Sequence, residues 1–380
     1  MKIMIISRGV PDSKYKLNGI FEYDQAKALV KKGCDVIYLA LDTRSLRRWR
    51  RWGFVHKIED GMNIFMVNVP LGNIPHIVKN RMASFALKKL YDRAVKKCGE
   101  SDLIHSHFFD ISYITAKALK NEKIPLVITE HSSVLIKENI PIHLFNMAKY
   151  AYIKARLIIT VSSSLQRILY EKFNIDAVHV PNIVDLDIFD GSKWEEHKGF
   201  NFISVANLKK NKRLDLVIAS FSQLRKEYND ISLMICGEGK ERRNLKVLIE
   251  RHDLKNDVIL KGLCSREEIA KLLCMADCFV LPSQGETFGV AYIESLSMGV
   301  PVIATRCGGP EDFVNNDNGI LIEIDNQKTL TKEMLNMYKN ANKYKRDEVA
   351  KAIRDKFSPE EVANHLIKHY HLILDKEREV

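Results

Sequence analysis

The chain has 380 residues, 46% of them hydrophobic, which is too long for one ordinary domain and long enough for two sizeable cores. No run of about 18 apolar residues occurs, and the N-terminus turns polar after "MKIMIIS", so neither a transmembrane helix nor a signal peptide is predicted. The expected location is the cytoplasm. Seven cysteines at irregular spacing, mostly within apolar runs, favour reduced thiols over a disulfide framework or a metal site.

The formal net charge of +11 is concentrated in the N-terminal half of the chain. Residues 1–190 hold 29 Lys and Arg against 19 Asp and Glu, whereas residues 191–380 hold 30 against 29. This asymmetry indicates that the N-terminal half meets an anionic partner, which could be nucleic acid, acidic lipid headgroups or a phosphorylated substrate.

Short β-branched runs alternate with longer amphipathic segments through the first half of the chain. The predicted strands are "KIMIIS", "DVIYLAL", "NIFMVNV", "LIHSHF", "LVITEH", "LIITVS" and "AVHVPN". Helical segments such as "FEYDQAKALVKKG" and "NRMASFALKKLYDRAVKKCG" lie between them and end in lysines and a glycine. Because parallel strands need helical crossovers, this alternation predicts a doubly wound α/β domain.

The alternation restarts in the second half, from "FNFISVAN" through "ISLMICGEG", "DVILKG" and "CFVLPS" to "PVIAT", and the chain is helical after about Asn326. We therefore predict a second doubly wound domain. The predicted organisation is a first Rossmann-like domain over 1–185, a linker over 186–200, a second Rossmann-like domain over 201–355, and a C-terminal helix over 356–380 that packs back toward the first domain. Such domains bind ligands at the carboxyl ends of their strands, so the cleft between them is the expected location of the chemistry.

The strongest candidate site lies in "LPSQGETFGVAYIESLSMGVPVIATRCGGPEDFV", residues 281–314. A strand is predicted to end at Pro282 and a helix to begin near Phe288, so the amides of Phe288 and Gly289 should form an anion site. Glu294 lies six residues past Phe288, roughly 9 Å along the helix, and can accept hydrogen bonds from two vicinal hydroxyls, as on a ribose. Glu286 can reach hydroxyls of a sugar beyond the phosphates. The Rossmann fingerprint G-x-G-x-x-G and the P-loop are both absent.

Two glutamates eight residues apart in "ETFGVAYIE", followed by "SMGVPVIATRCGG", resemble the donor-site signature of retaining GT-B glycosyltransferases of family 4. "SVANLKKNKRLDLVIASF" is similar to the family's first C-domain strand and phosphate-binding loop, and "VPNIVDLDIF" to its interdomain segment. "NGIFEYDQAKALVKKGCDV", "LIHSHF" and "ITEHSS" resemble elements of its N-domain. The resemblance covers nearly the whole chain and implies a GT-B fold, in which the first domain binds the acceptor and the second binds the nucleotide sugar across a cleft.

The resemblance also implies roles for single positions in the second domain. Glu294 would hold the ribose, and Glu286 with the amides of Phe288 and Gly289 would hold the transferred sugar. Lys212 would neutralise the diphosphate, and with a helix N-terminus doing the same, no metal would be required.

In the first domain, Gly19 would let the backbone approach the β-phosphate, and His131 would lie beside the transferred sugar at the reaction centre. The predicted catalytic residues are thus His131, Glu286 and Lys212. His107 could be a cleft residue or a satisfied histidine at a strand end, and the sequence leaves both interpretations open.

Two features depart from the family's pattern or compete with it. Asn207 stands where the family usually has an arginine, so a bidentate cation on the diphosphate is missing. Lys212 must then carry more of the charge, aided by Lys209, Lys210 or Arg213, or Asn207 contacts the sugar instead. Asp185 and Asp187 form a D-x-D motif, of the kind that carries a metal in the other glycosyltransferase fold, but they fall in the linker and are interpreted as structural.

The segment "TRSLRRWRRWGF", residues 43–54 and called the arginine segment below, holds five arginines and two tryptophans without an acid. Read as a helix, it places arginines on one face and tryptophans on another, which is typical of an interfacial segment on anionic lipid. A solvated basic loop and a nucleic-acid contact are the alternatives. The predicted membrane or acceptor surface comprises Arg44, Arg47, Arg48, Trp49, Arg50, Arg51 and Trp52.

The predicted function is a retaining, metal-independent hexosyltransferase that moves a sugar from a UDP- or GDP-sugar to a lipid-linked or polysaccharide acceptor. Such a reaction belongs to cell-surface glycan biosynthesis, for example of lipopolysaccharide or capsule. The expected protein needs no cofactor, is a monomer or weak dimer, and works as a peripheral protein on the inner face of the cell membrane. A GT-B-fold nucleotide-sugar epimerase and a non-catalytic nucleic-acid-binding protein are the alternatives.

Overall fold

A computed structural model describes residues 1–12, 14–16, 18–72, 74–191 and 194–378. The chain divides into two compact units, the first built from Met1–Ile183 with Pro359–Val380 and the second from Val184–Ser358. Both are α/β units with a mainly parallel sheet, which confirms the predicted fold class. The described residues of the predicted linker belong to the second unit, and the chain returns to the first unit at Pro359.

The first unit contains an eight-stranded sheet in the order β3-β4-β2-β1-β5-β6-β7-β8. Its strands are β1 (Lys2–Ser7), β2 (Asp35–Asp42), β3 (Gly53–Glu59), β4 (Met62–Asn68), β5 (Leu103–His107), β6 (Leu126–Glu130), β7 (Leu157–Thr160) and β8 (Val178–His179). All neighbouring pairs are parallel except β3 and β4. Strands β1 and β2 are almost entirely buried, which explains their near-continuous apolar sequences.

The described residues of the first unit form six α-helices. They are α1 (Ile20–Lys31), α2 (His76–Cys98), α3 (Phe109–Ala118), α4 (Ile142–Lys154), α5 (Ser163–Phe173) and α12 (Pro359–Arg378). Helix α12 packs against α1, and its buried Tyr370 hydroxyl lies 2.6 Å from Nδ1 of His105 on β5. The C-terminal helix is therefore an integral part of the core of the first unit. No helix among the described residues has the length and apolar character needed to cross a bilayer.

The second unit has a six-stranded parallel sheet. Its strands are β9 (Phe200–Val205), β10 (Ile231–Cys236), β11 (Val258–Gly262), β12 (Cys278–Leu281), β13 (Val302–Thr305) and β14 (Gly319–Ile322). Its helices are α6 (Leu214–Arg225), α7 (Arg242–Arg251), α8 (Arg266–Leu273), α9 (Val290–Ser297), α10 (Gln327–Asn340) and α11 (Arg346–Phe357). The strand order β11-β10-β9-β12-β13-β14 is the 3-2-1-4-5-6 order of a Rossmann fold, in which ligands bind at the carboxyl edge beside the switch point.

Two strands were not predicted from the sequence. Strand β14 is only four residues long, and strand β3 is a half-exposed edge strand whose sequence "GFVHKIE" lacks the continuous apolar run of a buried strand. Strand β3 forms a hairpin with β4 through Asp60 and Gly61, which both have positive φ. The hairpin explains the antiparallel edge of an otherwise parallel sheet.

The helical interpretation of the arginine segment is wrong, because residues 43–52 form a loop between β2 and β3. The loop is organised around Asp42, a buried carboxylate at the end of β2. Arg50 is only 9% exposed, and its Nη2 donates to Oδ1 of Asp42 over 2.6 Å and to the carbonyl of Arg44 over 3.0 Å. Arg44 also pairs with Asp42, so these two arginines hold the loop instead of forming a free surface.

The buried His105 predicts a loss of stability in acid. Its Nε2 lies 2.7 Å from the Thr129 hydroxyl, and burial lowers its pKa from 6.5 to about 3. The unfolded chain therefore binds a proton below pH 6.5 that the folded chain rejects until about pH 3, so the free energy of unfolding falls as the pH falls through this window. Each such proton contributes about 1.4 kcal/mol per pH unit.

Urea unfolding between pH 7 and pH 4 checks this prediction, with His105→Asn compared with the exposed control His371→Asn. We expect a shallower pH dependence in His105→Asn than in the parent. An unchanged slope, or an NMR titration of the parent's His105 near pH 6.5, would contradict it.

Candidate functional site

The loop after β12 leads into α9 through a glycine. Gly289 is the N-cap of α9 with φ 99°, and no side chain caps the helix. A Cβ at this position would lie 2.7 Å from Cδ2 of Tyr292, so a larger residue would be strained both in conformation and in space. The amide of Tyr292 donates to the carbonyl of Gly289 over 3.0 Å, and the amides before it at the start of α9 can serve an anion.

The backbone of Glu286 is fixed between two loops at the carboxyl edge. Its amide donates to the carbonyl of Cys307 over 3.2 Å, and its carbonyl accepts from the amide of Gly309 over 3.0 Å. A Cβ on Gly309 would lie 2.2 Å from the carbonyl oxygen of Phe288, so only glycine permits the two loops to approach this closely. The loop after β13 thus supports the loop that carries Glu286, Phe288 and Gly289.

Lys212 and Glu286, which are 74 residues apart in the sequence, meet as an ion pair. Nζ of Lys212 lies 2.5 Å from Oε1 of Glu286, and the hydroxyl of Ser283 donates to the same oxygen over 2.8 Å. The two side chains are only 17% and 13% exposed. Each charge is therefore compensated by the other in a partly desolvated position.

The other polar residues of "NLKKNKR" do not contact Glu286 as Lys212 does. Asn207, Lys209 and Lys210 are exposed, whereas Arg213 has a positive φ of 49° and pairs with Asp215 and Asp325. Of the neighbours that the sequence offered as additional diphosphate cations, Arg213 is thus already engaged by two carboxylates.

Glu294 lies on α9 and is 8% exposed. Its Oε1 is 3.4 Å from Nε of Arg266, whose Nη1 is 3.6 Å from Oδ2 of Asp185. Arg266 is a neighbour of Glu294 that sequence reasoning missed, because the contact joins α8 to α9 and follows no local pattern. Asp185 also accepts from the amide of Asp187 over 3.1 Å, which gives this part of the D-x-D motif a structural contact.

In the first unit, Gly19 begins α1 in the same way as Gly289 begins α9. It is the N-cap with φ 76°, and no side chain caps the helix. A Cβ on Gly19 would lie 2.3 Å from the carbonyl oxygen of Gly9, and the Tyr38 hydroxyl donates to that oxygen over 3.1 Å. The start of α1 therefore packs closely on the loop after β1, which a larger residue at position 19 would not permit.

His107 and His131 lie together at the ends of β5 and β6. Nδ1 of His107 is 3.1 Å from Nε2 of His131, and both rings are buried. Burial first, and then the positive Arg8, lower the pKa of His131 to about 3, and burial lowers the pKa of His107 well below its ordinary value. Both imidazoles are therefore neutral near pH 7. Among the described atoms, Nε2 of His107 and Nδ1 of His131 have no hydrogen-bond partner.

Glu130 shapes the turn that carries His131. Its carboxylate accepts from the amides of His131 and Ser132 over 2.9 and 2.8 Å and from the Tyr152 hydroxyl over 2.6 Å. Burial raises the pKa of Glu130 to about 7 despite these donors. The position of His131 is thus set by a neighbouring side chain as well as by the strand.

Three further charged residues near these histidines were missed by sequence reasoning. The Arg8 guanidinium lies 3.3 Å from the Phe108 ring centroid and 4.0 Å from Oδ2 of Asp110. Glu22, in the first turn of α1, is 2% exposed, and burial raises its pKa while Arg8 opposes that rise. The sequence signal for two of them was their position: Arg8 directly follows β1, and Asp110 lies three residues after the end of β5.

The predicted site residues therefore fall into two groups. Asn207, Lys212, Glu286, Phe288, Gly289 and Glu294 lie in the second unit, whereas Gly19, His107, His131 and the arginine segment lie in the first. Within the second unit, Lys212 contacts Glu286, and within the first unit, His107 contacts His131. No group of three or more potential metal ligands occurs among the described residues.

Comparisons with known proteins agree across both units. The family described as glycosyl transferases group 1 matches residues 189–356, and glycosyltransferase family 4 matches residues 21–188. A glycosyltransferase of Methanocaldococcus jannaschii is 28% identical over 316 residues, covering 81% of this chain and 86% of that protein. The N-acetyl-alpha-D-glucosaminyl L-malate synthase of Bacillus anthracis is 25% identical, covering 72% and 75%.

Among solved structures, sucrose-phosphate synthase from Thermosynechococcus elongatus superposes with a TM-score of 0.81 at 17% identity. The superposition covers 99% of this chain and 100% of that one, and at this identity it establishes the fold alone. The two family matches together span residues 21–356, and the fold agrees with them. The chain belongs to the group 1 glycosyltransferases of the GT-B fold.

Proposed function

We propose that this glycosyltransferase transfers a hexose from a UDP- or GDP-sugar, with retention of anomeric configuration and without a metal, to a lipid-linked or polysaccharide acceptor. The observation that carries the proposal is the ion pair of Lys212 and Glu286 beside the uncapped start of α9. A cation, a sugar-binding carboxylate and free amides in one place suit a nucleotide diphosphate sugar.

The leaving diphosphate needs fixed positive groups in the transition state. Lys212 and the first-turn amides of α9, with Phe288 and Gly289 at its start, supply them in this proposal. Because Lys212 already pairs with Glu286, the incoming diphosphate takes over the lysine and frees the Glu286 carboxylate to accept hydrogen bonds from sugar hydroxyls. Asn207, exposed where the family usually has arginine, contributes an amide and no charge.

Glu294 accepts hydrogen bonds from the ribose hydroxyls in this proposal, and its contact with Arg266 orients the carboxylate. Gly19 permits close approach of the first unit's backbone to the β-phosphate. His131 is neutral near pH 7, and its Nδ1 has no hydrogen-bond partner among the described atoms. In this proposal Nδ1 carries the proton and donates to a sugar hydroxyl, while Nε2 accepts from Nδ1 of His107.

The exposed surface of the first unit supports a lipid-linked acceptor. Three arginines of the arginine segment, Arg47, Arg48 and Arg51, are exposed, and Trp49 beside them is 66% exposed. Exposed arginine with tryptophan fits a peripheral contact with anionic lipid, on the cytoplasmic face of the membrane, where lipid-linked intermediates of lipopolysaccharide or capsule would be met. Arg44, Arg50 and Trp52 support this loop from within.

Hydrolysis of nucleotide sugars tests the reaction. Incubation of the pure protein with a panel of UDP-, GDP- and ADP-sugars should release free sugar from one donor, and NMR should show the donor's anomeric configuration in the first product. Lys212→Ala should slow this hydrolysis by roughly 10²-fold or more, as loss of one preorganised group commonly does. Lys246→Ala, at an exposed position of α7, is the control. Inversion of configuration, or equal rates in the parent and Lys212→Ala, would refute the proposal.

The two glutamates should separate nucleotide binding from turnover. Glu294→Ala should weaken binding of the nucleoside diphosphate at least about tenfold, since a hydrogen bond to a charged group contributes about 1.5–3 kcal/mol. Glu286→Ala should leave nucleotide affinity nearly unchanged and lower kcat. Calorimetry and hydrolysis rates measure these effects, with the exposed Glu227→Ala as control. Equal effects of both substitutions on affinity would overturn the assignment.

Membrane docking should depend strongly on the exposed arginines of the arginine segment. The variant Arg47→Ser, Arg48→Ser, Arg51→Ser should cosediment with anionic vesicles much less than the parent, because about 1 kcal/mol per basic residue is lost near such a surface. Donor hydrolysis should remain, and parent binding should fall as salt rises. The control Lys240→Ser, Arg243→Ser, Arg251→Ser removes the same charge from exposed positions of the second unit. Equal cosedimentation of both variants and the parent would exclude this docking mode.

A further inference from the structure

A groove separate from the residues discussed above runs between α2, α3 and α4 of the first unit. Its volume is about 540 Å³. Helix α2 contributes Ile77 and Arg81 to its lining, α3 contributes Lys117, and α4 contributes His143 and Tyr150. Since α2 and α4 are the segments that follow β4 and β6, the groove begins near the carboxyl edge of the sheet.

The lining of the groove is basic. Nζ of Lys117 lies 4.0 Å from the centroid of the Tyr150 ring, and the rings of His76 and His143 are 4.9 Å apart. No described residue that lines the groove is acidic. Neither Arg81 nor Lys117 forms an ion pair with any residue that the structure describes. Two uncompensated cations facing one groove are complementary to a phosphate group.

The edge of the groove is apolar and exposed. Ile77 at the start of α2 and Ile142 at the start of α4 are each 72% exposed. Val78, Met82 and Phe85, spaced four and three residues apart on α2, are 48%, 44% and 62% exposed. Contiguous exposed side chains of this kind mark an interaction site. A nucleic acid would leave them in water, whereas the acyl chains of a lipid would cover them.

The loop that leads into α2 packs on the arginine segment. A Cβ on Gly72, four residues before α2, would lie 2.4 Å from the backbone nitrogen and Cβ of Ser45, so the two loops pack directly on each other. Helix α2 itself carries seven Lys and Arg and only one acid, Asp92. A basic helix with exposed apolar residues is typical of a segment that lies at a lipid surface.

We propose that this groove binds the phosphate headgroup of a single anionic phospholipid molecule. Arg81 and Lys117 contact the phosphate, and the acyl chains lie along Ile77, Val78 and Met82. The site gives the first unit a defined lipid contact, in addition to the charge attraction of the arginine segment, and it does not depend on the identity of the sugar donor.

Calorimetry of the full chain with dihexanoylphosphatidylglycerol below its critical micelle concentration tests the proposal, because a monomeric lipid isolates the groove from bilayer attraction. The parent should bind one lipid. Arg81→Ala with Lys117→Ala should bind roughly thirtyfold more weakly, as expected for two basic residues beside an anionic headgroup. The control Lys96→Ala with Lys120→Ala removes the same charge at exposed positions outside the groove and should bind within about twofold of the parent.

Three further arms identify the ligand chemistry. Ile77→Asn should weaken binding of the lipid and leave the weak binding of glycerol phosphate unchanged, which separates tail from headgroup contacts. Dihexanoylphosphatidylcholine should bind much more weakly than its anionic counterpart. The proposal is overturned if both lipids bind alike, if the control loses as much affinity as the groove variant, or if an oligonucleotide binds the groove in preference to the lipid. Nucleotide-sugar hydrolysis by the same variants reports the donor residues, so failure of either proposal is recognised separately.

Discussion

Parallel strand pairing is the constraint on which the positions of all candidate functional residues depend. Because neighbouring strands in each sheet are parallel except β3 and β4, most strands are followed by a loop and a helix that returns the chain to the opposite edge. Strand ends and helix starts therefore gather at one edge of each sheet. Gly19 and Gly289 occupy equivalent places at these edges, where each is a left-handed N-cap that begins a helix without a capping side chain.

Burial has opposite electrostatic consequences in the two units. In the first, it removes charge, because His107 and His131 have no acidic partner and their pKa values fall. In the second, the partly buried Lys212 and Glu286 lie together as an ion pair, so each charge has a partner. An ion pair that is already formed leaves no uncompensated buried charge before a ligand binds, and an anion that replaces the carboxylate meets a lysine that is already positioned.

The sequence was sufficient where the signal is local and failed where it is not. Buried parallel strands such as "KIMIIS" and "LIITVS" are recognisable as apolar runs. The two glutamates of "ETFGVAYIE" lie on one loop and the helix that follows it, so their spacing in the sequence predicts their proximity. The contact of Arg266 with Glu294 joins α8 to α9, so no spacing predicts it. The helical prediction for the arginine segment treats all its arginines as equally exposed. In the structure Arg44 and Arg50 instead pair with the buried carboxylate of Asp42, and the segment is a loop.

The basic surplus of the first half thus resolves into two kinds of cation. Arg8, Arg44 and Arg50 lie against carboxylates or aromatic rings and stabilise loops at the sheet edge. Arg47, Arg48, Arg51 and the unpaired cations of α2 and α3 remain on the outside, beside exposed apolar side chains. A charge count alone cannot make this distinction, because it treats a buried guanidinium and an exposed one alike. Only the second kind can attract an anionic surface, and its members lie on two adjacent segments, the loop after β2 and the helix after β4.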